Sequence, residues 1–249
     1  MSRSGIVAAL AAEARLLGPA RPHGAVRVLV DGTLVVVSGM GPSAAADGAR
    51  RLIGAGATAL VSFGVAGGLD PALAAGALLL PEALISPDGT RYPTAREWRE
   101  RVSAAVAQRH PVCGGALLTC REPLFSPADK ASALRQTGAV AVDMEGAAIA
   151  EVAAQRGLPF LAVRSVLDAA GDTLPMALLA AIDPRGATSV VRLIAAVIRA
   201  PREWPDLLRL GRRCVAASRP LLSVARSGAL AAAPAHRPAA AQQHTNALP

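Results

Sequence analysis

Two carboxylates flank a methionine at Asp143-Met144-Glu145, where an apolar strand runs into a helix of small residues in the stretch AVDMEGAAIA. A strand-to-helix turn needs only one polar cap. A second acid and a large flexible apolar side chain therefore indicate a ligand with one hydroxylated face and one apolar face. The alternative is an acid pair favoured by the positive end of the helix, with the methionine in the core.

Other polar or glycine-rich positions fall at the ends of predicted strands. Glu13 follows the first strand and Asp168 a later one, while Gly39–Gly41 and Gly64–Gly68 provide backbone that a ligand could approach closely. Because ligands of α/β sheets bind at the carboxyl ends of strands, we expect these positions to converge on one pocket. Taken singly, the acids could be helix-terminal residues and the glycine segments plain loops.

The segment Gly39–Ala44 fits part of a dinucleotide-binding fingerprint. Such a fingerprint expects an acid about 20 residues later, after the next strand, but that strand ends in Ser62-Phe63-Gly64. The sequence therefore disfavours a dehydrogenase. Acids beside an apolar wall better suit cleavage of a C–N glycosidic bond. That reaction needs a proton donor for the leaving base, a carboxylate on the sugar hydroxyls and a route for the nucleophile.

Strands alternate with helices along most of the chain. The patterns predict strands at 5–10, 27–30, 33–38, 58–63, 77–86, 115–120, 139–142 and 159–166, and helices at 43–53, 94–109, 126–138, 146–156, 186–199 and 205–226. This alternation predicts an α/β fold, a three-layer sandwich whose central twisted mixed sheet is covered on both faces. We predict a catalytic domain at 1–200, a basic helical extension at 201–230 and a disordered tail at 231–249.

The net charge and the amino-acid composition limit the kinds of partner that the protein could bind. The net charge is +8, and seven arginines lie between Arg199 and Arg226, so a C-terminal segment carries most of the excess. Aromatic residues are only 2% of the chain, which disfavours a nucleic-acid partner. Three cysteines without metal-ligand spacing favour a reduced, cytoplasmic setting and no metal site.

Five segments resemble the nucleoside phosphorylase superfamily, and within it the methylthioadenosine/S-adenosylhomocysteine nucleosidases: GIVAALAAEARLL, SGMGPSAAA, FGVAGGLDPAL, VDMEGAAIA and LPFLAVRSVLDAAGD. The resemblance covers about Gly5 to Asp172, and VDMEGAAIA followed by VRSVLD is its specific part. With the spacing of Thr119–Arg135 and the stretch DTLPMALLAAIDPRG, the chain is most similar to the hopanoid-associated phosphorylases. The similarity implies a phosphorylase/hydrolase-like fold, an adenosyl-lipid substrate (adenosylhopane) and a homo-oligomer.

By position in these motifs, the resemblance implies that Asp168 protonates the purine and that Glu13 orients or deprotonates a water molecule. Glu145 would bind the ribose hydroxyls, and Met144 would pack under the sugar. The further substrate-binding positions are Asp143, Arg164 and Gly67, and Phe125 or the backbone around Pro123 would line the base. No organic cofactor and no metal is implied.

Two positions depart from the nucleosidases. Val65 and Leu167 stand where those enzymes have serines, of which the first helps to hold the water. The change leaves inorganic phosphate as a candidate co-substrate, near Gly41 and Arg15, so both nucleophiles stay open. The alternatives to adenosylhopane cleavage are a methylthioadenosine or purine nucleosidase or phosphorylase of nucleoside salvage, and a non-catalytic peripheral membrane protein that binds adenosyl ligands.

Residues 201–226 interleave arginines with Leu207, Leu210, Leu221 and Val224 at near-helical spacing. A basic amphipathic helix of this kind can lie on an anionic membrane, which would suit a lipid-like substrate and place the protein at the inner face of the membrane. The alternative is a helix packed on its own domain with solvated arginines.

Overall fold

A computed structural model of the protein describes residues 2–19, 22–173 and 204–234. In these residues, the strands are β1 Ser4–Ala8, β2 Arg27–Val28, β3 Leu34–Val37, β4 Ala59–Gly68, β5 Leu78–Leu79, β6 Ala83–Ile85, β7 Arg91–Pro93, β8 Val112–Cys113, β9 Ala116–Thr119, β10 Ala141–Asp143 and β11 Phe160–Asp168. The helices are α1 Ala11–Leu16, α2 Pro42–Gly54, α3 Arg96–Val106, α4 Pro127–Thr137, α5 Gly146–Gln155 and α6 Trp204–Arg226.

The strands form one mixed sheet in the order β2-β3-β1-β4-β10-β9-β6-β7. Strand β11 pairs in parallel with β4 and in antiparallel with β5, which pairs in turn with β8. The long strand β4 is central: it also pairs in parallel with β1, and its last residues pair in antiparallel with β10. The predicted mixed sheet is therefore confirmed.

The first strand shows why both faces of the sheet are covered. All five residues of β1 are buried. Val7 packs with residues of α2 and α5, whereas Ile6 and Ala8 pack with residues of α1, α3 and α6, since successive side chains of a strand point to opposite faces. Helices thus cover the sheet on both sides, and the predicted three-layer α/β sandwich is confirmed.

The strand predicted at 58–63 continues through Gly64–Gly68, which are the second half of β4, so the alternative of a plain loop is wrong. The glycines make room for side chains at the carboxyl end of the sheet. A Cβ atom on Gly64 would lie 2.3 Å from Oε1 of Glu13, and one on Gly67 would lie 3.4 Å from Oδ2 of Asp168. Glycine is therefore used here for close approach within a strand, not for a turn.

The strand predicted at 77–86 is two strands, β5 and β6, separated by Leu80-Pro81-Glu82. Proline has no N–H to donate to a ladder. The chain changes partners there, from β11 on one side of the interruption to β9 on the other.

Helix α4 begins and ends as the sequence predicts. The Ser126 hydroxyl oxygen accepts a hydrogen bond from the backbone N–H of Asp129 at 3.1 Å, and Pro127 occupies the first turn. Gly138 ends the helix with a φ of 68°, in the left-handed region that favours glycine. These two ends fix the position of the helix beside the carboxyl end of the sheet.

From Ala217 onward, α6 belongs to the core of the domain. Ala217, Leu221 and Val224 are buried, and the indole N–H of Trp98 donates to the carbonyl of Ala229 at 3.0 Å. The alternative of a helix packed on its own domain therefore describes this part of the predicted 201–230 extension. The helix predicted at 186–199 and the tail from residue 235 lie outside the described residues.

No helix in the described part of the chain combines the length and the apolar character that crossing a membrane requires.

Replacing Leu221 with alanine should lower the free energy of unfolding by about 2–5 kcal/mol, because a fully packed leucine leaves a cavity behind. Val215 on the same helix is 57% exposed, so Val215→Ala should change it by less than about 0.5 kcal/mol. Urea unfolding followed by circular dichroism measures both. Equal small effects would show that α6 does not contribute to the core.

Candidate active site

The ends of β1, β4, β10 and β11 open into one cleft of about 810 Å³, a volume that includes space open to solvent. Its lining is Ala9, Leu10, Glu13, Met40, Val65, Ala66, Gly67, Pro123, Leu124, Val142, Asp143, Met144, Glu145, Leu167 and Asp168. A smaller cavity of about 240 Å³ shares Glu13, Val65 and Glu145 with the cleft and is also lined by Ser38, Ser62 and Arg164. The acids predicted from strand ends thus converge.

Glu13 is held by backbone N–H groups. Its Oε2 accepts from the N–H of Leu10 and its Oε1 from the N–H of Val65, both at 3.0 Å. Burial raises the pKa of Glu13, while these N–H groups and the nearby charge of Arg164 act in the opposite direction. A raised pKa makes its carboxylate a stronger proton acceptor. Val65 therefore contributes through its backbone, although it lacks the serine hydroxyl.

Glu145 immediately precedes α5, and its Oε1 accepts from the backbone N–H of Gly41 at 2.8 Å. Burial, followed by the negative charge of Asp143, raises the pKa of Glu145 to about 7, with a smaller contribution from Glu13. The Gly41 hydrogen bond and the charge of Arg164 oppose the rise. This carboxyl group can therefore exist in either protonation state near neutral pH.

Asp143 and Arg164 form a buried ion pair at 2.6 Å. The Asp143 carboxylate also accepts from the hydroxyl of Thr119 at 2.6 Å and from the N–H of Gly146 at 3.0 Å. Arg164 donates in addition to the hydroxyl of Ser62 at 2.6 Å. Asp143 and Arg164 thus bind each other and the surrounding strands. Asp143 also lines the cleft and Arg164 the smaller cavity, so their contacts with a substrate stay a prediction.

Asp168 ends β11 and is 2% exposed. Its Oδ2 accepts a hydrogen bond from Nζ of Lys130, which is itself fully buried. Burial raises the pKa of Asp168, against the lowering effect of the Lys130 hydrogen bond and charge. Sequence reasoning missed Lys130. The signal that could have found it is its rarity, because it is the only lysine among 26 lysine and arginine residues.

Three predicted site residues are placed differently from expectation. Phe125 does not line the cleft, although the preceding Pro123 and Leu124 do. Arg15 is exposed on α1 and lines neither cavity. The N–H of Gly41 is bound to Glu145 and so is not presented to a phosphate group. Phe125 and Arg15 are close in sequence to lining residues but line neither cavity themselves.

Apolar side chains make the remaining wall of the cleft. Met144 lines it as predicted, together with Leu10, Met40, Leu124 and Leu167. In the described residues, no group of three His, Cys, Asp or Glu side chains could hold a metal ion. The cleft thus combines apolar side chains with the carboxyl groups of Glu13, Asp143, Glu145 and Asp168.

A profile of the phosphorylase superfamily matches residues 4–199. Solved structures with a similar fold include a mutant methylthioadenosine/S-adenosylhomocysteine nucleosidase from Helicobacter pylori with 5′-methylthioadenosine in its active site, with a TM-score of 0.67 and 18% identity over 91% of this chain and 99% of that one. The corresponding nucleosidase from Neisseria meningitidis has a TM-score of 0.66 and 18% identity over 91% and 100%. Futalosine hydrolase from Helicobacter pylori has a TM-score of 0.64 and 18% identity over 90% and 97%.

A search of curated proteins finds no match. The structural similarities, all at low identity, establish a common fold, and the family profile covers most of the chain. The chain therefore belongs to the phosphorylase superfamily and is an enzyme of the nucleosidase or nucleoside phosphorylase type.

Proposed function

We propose that the protein hydrolyses the N-glycosidic bond of an adenosine with an apolar 5′ substituent and releases adenine. The observation that carries the proposal is the convergence of Glu13, Glu145 and Asp168 on one cleft with an apolar wall. Asp168 protonates the departing base, Glu145 binds the ribose hydroxyls and Glu13 accepts a proton from the nucleophile. Each of these residues acts on a group whose charge changes as the glycosidic bond breaks.

The charge of the smaller cavity favours water over phosphate as the nucleophile. Two carboxyl groups, those of Glu13 and Glu145, line it and would repel a phosphate dianion. Its cationic side chain, Arg164, is already paired with Asp143. Hydroxyl groups of Ser38 and Ser62 line the same cavity and suit a small neutral molecule. We therefore propose that water enters here.

The apolar wall supports a hydrophobic group at the 5′ position. Leu10, Met40, Met144 and Leu167 offer no charged partner to a polar tail. Adenosylhopane, the substrate implied by the sequence resemblance, has such a group, and this is the substrate that we propose. Methylthioadenosine, which occupies the similar Helicobacter structure, is the alternative from nucleoside salvage, because its small thioether also fits an apolar wall.

The proposed membrane contact through 201–226 rests on charge. Arg212, Arg219 and Arg226 are exposed on α6, whereas Leu221 and Val224 are buried in the protein and are not available to enter a bilayer. Attraction of arginines to anionic lipids is screened by salt. We therefore propose a weak, salt-sensitive association at the inner face of the membrane.

Adenine release should be independent of inorganic phosphate. Wild-type protein is incubated with adenosylhopane and with methylthioadenosine, each with and without phosphate, and the sugar product is identified by mass spectrometry. We expect a free ribosyl product in every productive reaction, since water is the nucleophile. Glu13→Gln should lower the rate about 100-fold, whereas Arg15→Ala, a change outside both cavities, should leave it unaltered. A ribosyl 1-phosphate product would contradict hydrolysis.

Replacing Asp168 with asparagine should lower kcat for adenine release by about 100- to 10,000-fold, because the amide cannot protonate the leaving base. The amide oxygen still accepts a hydrogen bond from Lys130, so the near-ultraviolet circular dichroism spectrum should remain that of the wild type. Turnover close to the wild-type value in a folded variant would remove Asp168 from the proposed role.

Replacing Glu145 with glutamine should stabilise the fold more at pH 8 than at pH 5. The pKa of Glu145 is about 7 in the folded protein and near 4.5 in the unfolded chain. The stability that the protonated Glu145 side chain contributes is therefore fully present below pH 4.5 and is lost as the pH rises through 7. Glutamine has no such proton to lose. We expect a difference of roughly 2 kcal/mol between the two pH values, measured by urea unfolding.

The matched control is Glu151→Gln, which changes an exposed glutamate on α5, the helix that follows Glu145, and it should have the same small effect at both pH values. The Glu145 variant should also lose kcat/KM for adenine release, because the amide is a weaker acceptor for ribose hydroxyls. Equal changes in the stability of Glu145→Gln at pH 5 and pH 8 would show that the surroundings do not raise the pKa of Glu145.

A further inference from the structure

Lys130 lies where a cation is least expected. It is in the first turn of α4, near the positive end of the helix dipole, and its side chain is fully buried. Neither helix propensity nor packing explains a buried charge at this position, since an apolar residue would fill the same space at lower cost. The reason must lie in what its ammonium group contacts.

Three oxygen atoms surround Nζ of Lys130. They are Oδ2 of Asp168 and the backbone carbonyl oxygens of Ala169, at 2.9 Å, and Asp172, at 3.0 Å. None of the three can donate a hydrogen bond when Asp168 is ionised. An ammonium group has three N–H donors for them, whereas a neutral amine has two and a lone pair that would face an oxygen. The geometry therefore describes a protonated lysine beside a carboxylate.

The loop that provides the two carbonyls is itself tied down. Arg213 of α6 donates to Oδ1 of Asp172 at 2.6 Å, and Oδ2 of Asp172 accepts from the N–H of Ala169 at 2.8 Å. In Asp168, Oδ2 faces Lys130. No described residue forms a hydrogen bond with the other carboxylate oxygen of Asp168, Oδ1. Asp168 lines the cleft, so the carboxyl group connects the buried ammonium with the place where a base would bind.

We propose that Lys130 supplies, through Asp168, the proton that the departing base takes up, an inference that rests on the proposed function. An Nζ–H bond of Lys130 breaks as an O–H bond forms on Asp168. That O–H bond breaks in turn as its proton bonds to a ring nitrogen of the base, while the electron pair of the C–N glycosidic bond leaves with the base. Asp168 ends as a carboxylate and Lys130 as a neutral amine.

The remaining atoms balance without another reactant. Water bonds to the sugar carbon and gives one proton to Glu13. The neutral amine of Lys130 keeps two N–H donors, which match the two carbonyl oxygens of Ala169 and Asp172. Once the product has left, Glu13 releases its proton to solvent in the cleft, and Asp168 passes a proton from the cleft back to Lys130. Lys130 is thus a positioning residue that acts through Asp168.

The choice of lysine over arginine supports proton release. The other 25 of the 26 lysine and arginine residues are arginine. A guanidinium group does not give up its proton in proteins, whereas a buried lysine can. The one position with lysine is the one that contacts the proposed acid.

The test compares two substrates whose leaving groups differ in their need for a proton. Adenine leaves methylthioadenosine or adenosylhopane with a proton, whereas p-nitrophenolate leaves p-nitrophenyl riboside as a stable anion. Wild-type protein, Lys130→Met, Lys130→Arg and the reference Asp168→Asn are assayed on both kinds of substrate across a range of pH. Urea unfolding establishes that each variant is folded.

We expect both Lys130 variants to release adenine about 100-fold more slowly than the wild type, as Asp168→Asn does, and to cleave p-nitrophenyl riboside within about 3-fold of it. The alkaline limb of the pH profile for adenine release should shift in Lys130→Met. Wild-type adenine release by Lys130→Arg, or equal losses on both substrates, would overturn proton supply by Lys130. A wild-type protein that cleaves p-nitrophenyl riboside but no adenine nucleoside would overturn the proposed function instead.

Discussion

The ion pair between Arg164 and Asp143 is the interaction on which the rest of the site depends. It joins β11 to β10, reaches β4 through the Ser62 hydroxyl and fixes the first N–H of α5 through Gly146. Glu145 immediately precedes that helix, so its position follows from the pair. The charge of Arg164 also moderates the rise in pKa that burial imposes on Glu145. Because both partners are buried, removal of either would leave an uncompensated charge beneath the cleft.

Around this pair, the site gathers carboxyl groups in surroundings that do not favour their ionisation. Burial is the largest cause of the raised pKa of Glu13, Glu145 and Asp168. A buried carboxylate lowers the stability of the folded protein. Here backbone N–H groups stabilise the carboxylates of Glu13 and Glu145, and a cation stabilises that of Asp168. The same surroundings increase the tendency of these carboxyl groups to hold a proton, which suits groups that exchange protons during glycosidic cleavage.

Much of this arrangement follows from local rules that a sequence displays. Strand ends carry the acids, so the convergence of Glu13, Glu145 and Asp168 could be predicted, as could the capped helix α4. The role of the glycines of β4 was harder to predict. A glycine-rich segment has the composition of a loop, whereas the close approach of Glu13 depends on the tertiary structure. Lys130 could not be placed by periodicity, since its partner Asp168 is 38 residues away along the chain. Arg15 lies only two residues from Glu13 but faces solvent, as a helix turns neighbouring side chains to different sides.

The burial of Lys130 has a consequence for the chemical reactivity of the whole protein. Apart from the α-amino group, a chain with one lysine offers a single amine to acylating reagents, and in the folded state that amine is enclosed by α4 and the loop after β11. Acylation at Lys130 therefore requires the site to open. Its rate reports the free energy of that opening directly, in the unmodified protein and without an introduced label.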